Sequence, residues 1–457
     1  MAQAFDAIII GAGQAGPSLA GRLTEAGKKV ALVERHLFGG TCVNTGCTPT
    51  KTLVASARVA HQMRRAGDFG VIIGGTVAVD MRSVKTRMDA VVADSRDGLE
   101  KWLRGMPGCT VFQGHARFES PHEIRIKDSV ISAERIFLNV GGRAIVPDMP
   151  GVDRVPFLTN ASMLGLEVLP RHLLIVGGSY IGLEFAQMYR RFGSEVTVVE
   201  KGARLVAHED EDIAAEIRRI LEAEGIGFRT EAECIRLSSR GADVVVEVDC
   251  KSGDRAVSGS HLLLAVGRRP NTDDLGLERA GIAVDSRGYI IVDEGLRTNV
   301  PGVWALGDCN GRGAFTHTAY NDFEIAAANL LDGDKRRVSD RIPCYGLFID
   351  PPLGRAGLTE TAARSTGRKI RIGRRPMTRV GRAVEKGETD GFMKVIVDAE
   401  SQAILGAAIL GVGGDEAVHG IIDTMSAKAP YTTLLRTMHI HPTVSELVPT
   451  ILGELTP

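Results

Sequence analysis

Two cysteines and one distant histidine are the residues of this chain whose types and spacing could do redox chemistry. Cys42 and Cys47 stand in Gly39-Gly40-Thr41-Cys42-Val43-Asn44-Thr45-Gly46-Cys47-Thr48-Pro49-Thr50-Lys51, just before a helical pattern running from Thr52 to Arg65. In a regular helix a five-residue spacing is about 7.5 Å of rise, whereas a disulfide wants its Cα atoms roughly 4.4–6.8 Å apart. A bond between them therefore requires a distorted first turn, and Gly46 and Pro49 supply the distortion. A helix N-terminus also lowers a thiol's pKa. Spacing alone equally admits two buried cysteines that never meet. His441 lies in Met438-His439-Ile440-His441-Pro442-Thr443-Val444-Ser445-Glu446. A neutral imidazole there can take a proton from a dithiol, and a nearby carboxylate raises its basicity. Thr443 to Glu446 also reads as a capping box that opens the last helix.

The elements that must position these groups repeat. An apolar strand, Phe5 to Ile10, leads into Gly11-Ala12-Gly13-Gln14-Ala15-Gly16, then a helix and a second strand ending in Glu34. Leu173 to Val176 leads in the same way into Gly177-Gly178-Ser179-Tyr180-Ile181-Gly182 and a strand ending in Glu200. Glycine turn and acid are 23 residues apart in both units. Such a unit seats a pyrophosphate at a helix N-terminus and a ribose on the acid. Two units in one chain predict two dinucleotides. Ser179 takes the middle-glycine position, where its hydroxyl can donate to phosphate. Glu200 favours NAD over NADP, since a 2′-phosphate would face like charge, while Lys201 and Arg204 could accept that phosphate.

The cysteine stretch resembles the redox-active segment of the flavoprotein disulfide reductases, which include glutathione reductase, dihydrolipoamide dehydrogenase and mercuric reductase. The resemblance runs from about Phe5 to the C-terminus. It implies an α/β fold with two Rossmann-like dinucleotide-binding domains and a C-terminal α+β dimerisation domain. The implied divisions are residues 1–147 and 271–340 for FAD, 148–270 for NAD(P), and 341–457 for dimerisation. It further implies that Cys42 exchanges with substrate, that Cys47 lies against the flavin, and that Lys51 and Glu184 pair beside the flavin's reactive edge. The first unit, through Gly11, Gly13, Gly16 and Glu34, becomes the FAD site, joined by Gly40, Thr41, Lys51 and Gly142. Asp308, in Val303-Trp304-Ala305-Leu306-Gly307-Asp308, would hold the ribityl and phosphate part, and His317 would sit near the pyrimidine ring or simply open a helix. The second unit, through Gly177, Ser179, Gly182 and Glu200 with Gly267, becomes the site for NADH, with NADPH as the alternative. Gly141-Gly142-Arg143 and Gly267-Arg268-Arg269-Pro270 resemble the crossovers between the two domains. His441, oriented by Glu446, would serve the partner subunit's site, so the implied assembly is a homodimer.

Composition narrows the rest. A length of 457 residues implies two to four domains, and 44% apolar with 24% charged residues is a globular balance. A net charge of −1 offers no electrostatic ground for nucleic-acid or membrane binding. The N-terminal apolar run is too short for a signal peptide core. Cys109, Cys234, Cys250, Cys309 and Cys344 show no pairing or metal-ligand spacing, so we expect buried thiols in a reducing cytoplasm. The implied reaction carries electrons from nicotinamide through FAD to Cys42 and Cys47, then to a disulfide or dithiol substrate. Two alternatives stand beside it. Thr48-Pro49-Thr50-Lys51 and the segment Leu347 to Glu360 resemble the mercuric-reductase-like branch, including the reactive-chlorine-resistance copper reductases, which points to a metal-ion reductase. Against mercury, a C-terminal cysteine pair and an N-terminal Cys-x-x-Cys domain are both missing. The other alternative is a dihydrolipoamide dehydrogenase subunit of a multienzyme complex, or a redox sensor.

Overall fold

The computed structural model describes residues 2–233, 235–248 and 255–457; Cys234 and Cys250 lie outside them. The first glycine unit builds a seven-stranded sheet. Its centre is Gln3–Ile10, flanked in parallel by Val30–Glu34 and Ser129–Leu138. Val303–Ala305 adds to Ser129–Leu138 in parallel, so the Gly307-Asp308 turn emerges one strand away from the strand that starts the chain. Ile8, Ile9 and Ile10 are buried on both faces, as a parallel sheet covered by helices requires. The second unit builds a separate parallel sheet of four strands, ordered Gly227–Arg229, Glu195–Val199, His172–Val176 and His261–Leu264.

The two crossover segments meet. Gly142–Ala144 and Arg268–Pro270 pair antiparallel, with Arg268 opposite Ala144. The C-terminal part is a five-stranded antiparallel sheet, Cys344–Leu347, Leu353–Gly357, Ile404–Leu410, Phe392–Asp398 and Ile370–Pro376 in spatial order. Strands Leu353–Gly357 and Ile370–Pro376, the small sheet formed by 236–240, 243–247 and 256–259, and the long helix Met81–Gly105 were not anticipated. That helix buries only Met81, Met88 and Leu103, so its apolar signal is sparse. No helix among the described residues is long and apolar enough to cross a membrane.

Two local expectations need correction. The helix after the cysteines starts at Cys47 rather than Thr52, and a separate short helix, Gly40–Thr45, carries Cys42. Pro49 falls in the first turn, where its missing N–H has no partner to lose, so it does not bend the helix. The break is Gly46. A Cβ there would lie 2.9 Å from the Thr41 carbonyl oxygen and 3.3 Å from Cys42 Cα. Of the other described cysteines only Cys309 is buried; Cys109 and Cys344 are half-buried.

Candidate functional site

Folding of Gly40–Thr45 back over Gly46 brings the two cysteines together as free thiols. They hydrogen-bond each other, and the charge divides unequally. The Cys42 thiol is pushed well above its ordinary value, first by that hydrogen bond and then by burial. The same bond pulls Cys47 down to about 6 against its burial, helped by the Thr316 hydroxyl and the Lys51 charge. Thr316 Oγ1 lies 3.1 Å from Cys47 Sγ, at the first position of the helix Thr316–Ala327. A helix N-terminus aimed at a sulfur favours the thiolate. Thr316 was missed in the sequence because its relation to Cys47 spans 269 positions.

Lys51 follows Cys47 by one helical turn, and its Nζ is 2.7 Å from Glu184 Oε2 on the helix Tyr180–Phe192. The other Glu184 oxygen accepts the Phe348 backbone N–H at 3.1 Å, and the Lys51 ammonium sits 4.5 Å from the Phe348 ring centroid. One ion pair thus ties together three separate stretches of chain. Glu184 is buried, which makes this pair far more consequential than a surface one.

All of this faces one cavity of about 1630 Å³, which also touches both glycine turns. That exceeds the usual volume of a single small-ligand pocket. The turns are cradles that only glycine permits. A Cβ on Gly11 would meet the Asn139 carbonyl oxygen at 2.2 Å, and one on Gly177 would meet that of Ala265 at 2.4 Å. Gly16 and Gly182 lie behind the cavity wall, each packed on its own turn's first carbonyl, at 2.3 and 2.0 Å from a notional Cβ. The two acids are used alike. Glu34 accepts the backbone N–H groups of Ala12 and His36, and Glu200 those of Gly178 and Gly202. The residues present therefore fit two dinucleotides, with backbone donors for pyrophosphate and an acid at each ribose end. Gly13, Gly40, Thr41, Ser179 and Gly267 line the same cavity. Asp308 lines it too. Burial raises its pKa, and Arg268 Nη2, 3.4 Å away, offsets this in part. Gly142 opens instead on a small adjoining cavity, which it shares with Arg268 and Asp308. Arg268 also donates to the Gly142 carbonyl at 2.6 Å, a role that only the pairing of the crossovers reveals.

An aromatic wall lines part of the cavity. His317 stacks on Phe315 and Phe315 on Tyr345, at centroid distances of 5.4 and 5.5 Å. Tyr180 meets Tyr345 edge-on at 5.4 Å. The His317 Nε2 is 2.7 Å from the Cys344 carbonyl oxygen, which orients the ring. Behind the wall, the Tyr345 hydroxyl donates to Glu209, which is ion-paired with Arg355.

His441 and Glu446 lie apart from this cavity. The imidazole is 81% exposed, and its Nδ1 is 2.9 Å from Glu446 Oε2. Thr443 Oγ1 accepts the Glu446 backbone N–H at 3.2 Å, while the Glu446 carboxylate turns to the histidine and leaves the Thr443 amide. So the turn before the last helix is half a capping box, and the acid's side chain belongs to His441.

Residues 5–322 match the pyridine nucleotide-disulphide oxidoreductase family, and 344–451 match that family's dimerisation domain. Over 451 residues the chain is 38% identical to the probable pyridine nucleotide-disulfide oxidoreductase RclA of Escherichia coli (strain K12), with 97% of each chain covered. Over 452 residues it is 34% identical to the dihydrolipoyl dehydrogenase of Chlamydia muridarum (strain MoPn / Nigg), covering 98% of this chain and 96% of that one. Among solved structures, the Cu(II) complex of the HOCl-induced flavoprotein disulfide reductase RclA from Escherichia coli superposes with a TM-score of 0.90. The identity is 36%, over 99% of this chain and 100% of that chain.

Proposed function

The chain belongs to the pyridine nucleotide-disulphide oxidoreductases, NAD(P)H- and FAD-dependent flavoenzymes, and from that premise we propose how its residues divide the work. One observation carries the reading: two hydrogen-bonded thiols of opposite pKa displacement face a cavity shared by both dinucleotide cradles. Bound FAD supplies the two-electron relay between nicotinamide and the cysteine pair. Cys47 holds the thiolate on the flavin side and Lys51–Glu184 fixes the helix that carries it.

Cys42 does the exchange. His441 takes its proton, and the Cys42 sulfur attacks one sulfur of a substrate disulfide. The first substrate thiolate leaves and receives that proton from the imidazolium. The Cys47 thiolate then attacks Cys42 Sγ, expelling the second substrate thiolate and closing the Cys42–Cys47 bond. Two electrons have moved from the cysteine pair to the substrate. His441 is exposed and remote from its own cavity, which supports its serving the second subunit of the homodimer that the dimerisation domain indicates.

We further place the domain divisions at residues 147, 270 and 340, a division supported by the pairing of the two crossovers. NADH is our choice of donor, on the strength of Glu200. Lys201 and Arg204 make no ion pair among the described residues and could accept a 2′-phosphate, so NADPH is the alternative donor. A reducing cytoplasm suits the free thiols. Cupric ion is the alternative acceptor, because one of the solved relatives is a Cu(II) complex.

Anaerobic titration with NADH, followed by turnover on oxidised lipoamide, glutathione disulfide and Cu(II), tests the reading. A long-wavelength thiolate–flavin absorbance is expected, with turnover on a disulfide. Cys42→Ser should keep a reducible flavin and lose disulfide turnover by at least about a thousandfold. Bleaching without that band would sever Cys47 from the flavin and overturn the proposal.

A further inference from the structure

A second charged contact lies in line with Lys51 and Glu184. Seven residues after Lys51 the helix Cys47–Arg64 presents Arg58, and seven after Glu184 the helix Tyr180–Phe192 presents Arg191. Seven residues are two turns, so each helix carries its two groups on one face, about 10.5 Å apart. Asp350 joins the second pair. Its Oδ1 accepts from Arg58 Nη1 at 3.2 Å, and its Oδ2 from Arg191 Nη1 at 2.6 Å. Between the two rungs, Gln187 donates to the Asp350 carbonyl and accepts the Asp350 N–H, each at 2.7 Å. The turn joining strands Cys344–Leu347 and Leu353–Gly357 is thus wedged between the helices. Glu184 bonds it at Phe348, and both arginines bond it at Asp350.

The two rungs differ in how firmly they are held. The Lys51 side chain is 33% exposed, so water competes for its ammonium, whereas that of Arg191 is 5% exposed and that of Asp350 13%. A buried, hydrogen-bonded charge pair costs far more to break than an exposed one. Two helices tied by one contact can rock about it, and a second contact two turns away fixes their angle. The buried rung therefore sets where the exposed one lies. Charge neutrality does not explain Asp350, because Arg58 already pairs with Glu388 and Arg191 with Glu224. What Asp350 adds is a carboxylate shared by both helices.

We propose that Asp350 is a positioning residue for the redox centre: by bridging Arg58 and Arg191 it fixes the helix that carries Cys47 and Lys51 against the helix that carries Glu184. This rests on the reading that Lys51–Glu184 holds the thiolate-bearing helix in place. Asp350 touches neither sulfur and acts through the two arginines.

The test is the pH midpoint of thiolate–flavin absorbance in the anaerobically reduced, FAD-loaded protein. The titratable and charged groups acting on Cys47 are Cys42, Lys51 and Glu184, beside the Thr316 hydroxyl and, on the proposed function, His441 of the partner subunit. Asp350→Asn and Arg58→Gln alter none of these, and both leave Arg191 its Glu224. With the bridge gone, Lys51 swings toward water and its pull on Cys47 weakens. The midpoint should rise by about 0.5–1 unit in each variant. Glu388→Gln removes a carboxylate from Arg58 that the second helix does not share, so its midpoint should stay at the wild-type value. An unchanged midpoint in Asp350→Asn or Arg58→Gln, or an equal rise in Glu388→Gln, overturns the proposal. If Asp350→Asn does not fold, Arg58→Gln against Glu388→Gln decides alone. Lys51→Met tests the premise. If it leaves the midpoint in place, the Lys51 reading fails and the proposal with it; if it raises the midpoint while Asp350→Asn does not, the proposal alone fails.

Discussion

The two cysteines differ because each is given a different neighbour, and that difference sets the order of events. The Thr316 hydroxyl reaches both sulfurs, but only Cys47 also meets the Lys51 charge, while the Cys42 thiol is raised by its partner's sulfur and by burial. A thiol whose pKa is lowered carries its charge at pH values above that pKa, so the reduced pair holds one negative charge at neutral pH. Thiolate absorbance of the anaerobically reduced protein should therefore rise with a midpoint near pH 6, far below the usual value of about 8.5. Thr316→Val removes one stabilising donor and should move the midpoint upward by about one unit, with Thr316→Ser restoring it. A single midpoint near the free-thiol value in the wild type would show that the charge is not parked on Cys47.

At the scale of elements, the redox pair exists because a helix is interrupted. Gly40–Thr45 and Cys47–Arg64 would be one continuous helix were it not for the close approach at Gly46. A side chain there collides with the Thr41 carbonyl oxygen and crowds Cys42. Gly46→Val should cost about 2–4 kcal/mol of stability and abolish disulfide turnover, read from thermal unfolding and from failure of the pair to oxidise. Wild-type oxidation in that variant would show that the break has another cause. The cysteines, the glycine and the lysine were all visible in the chain, but the early helix start was not. Its first turn contains Thr48, Pro49 and Thr50, poor helix formers whose placement is decided by Thr50 and Thr52 hydroxyls closing onto the carbonyls of Gly46 and Thr48.

At the scale of the molecule, the site is assembled from sheets that share no local sequence. The second glycine unit is clamped to the C-terminal sheet by Glu209 and Asp210. Asp210 is driven upward by burial but held down to about 2 by the amides of Thr361 and Glu360 and by Lys394. A carboxyl whose folded pKa lies below its unfolded value stabilises the fold above the unfolded pKa and ceases to as pH falls through the folded one. Stability should thus drop between about pH 4 and pH 2 by about 1–2 kcal/mol from this group, and Asp210→Asn should flatten that segment of the curve in acid denaturation. A slope equal to wild type would remove Asp210 as its source. The dimer makes a second prediction. Mixing Cys42→Ser with His441→Ala chains should restore about a quarter of wild-type disulfide turnover, since half the dimers are hybrid and each hybrid has one complete site. No recovery in verified hybrids would place His441 in its own subunit's chemistry.

The sequence by itself determined the two glycine turns with their acids and set His441 five residues from Glu446, whereas the meeting of Cys42 with Cys47 and the Lys51–Glu184 partnership, 133 positions apart, were legible only through the family resemblance. Glycine spacing, strand patterning and motif order are local or short-range properties, and steric need at a turn leaves few residue choices. Only the tertiary structure decided that Thr316 reaches Cys47, that Arg268 binds the Gly142 carbonyl beside Asp308, that Phe348 completes the Lys51 pair, and that Arg355 is buried against Glu209. Each of these joins residues far apart along the chain, and a side chain's meaning there is set by what packs against it and by the loss of water, which no spacing records.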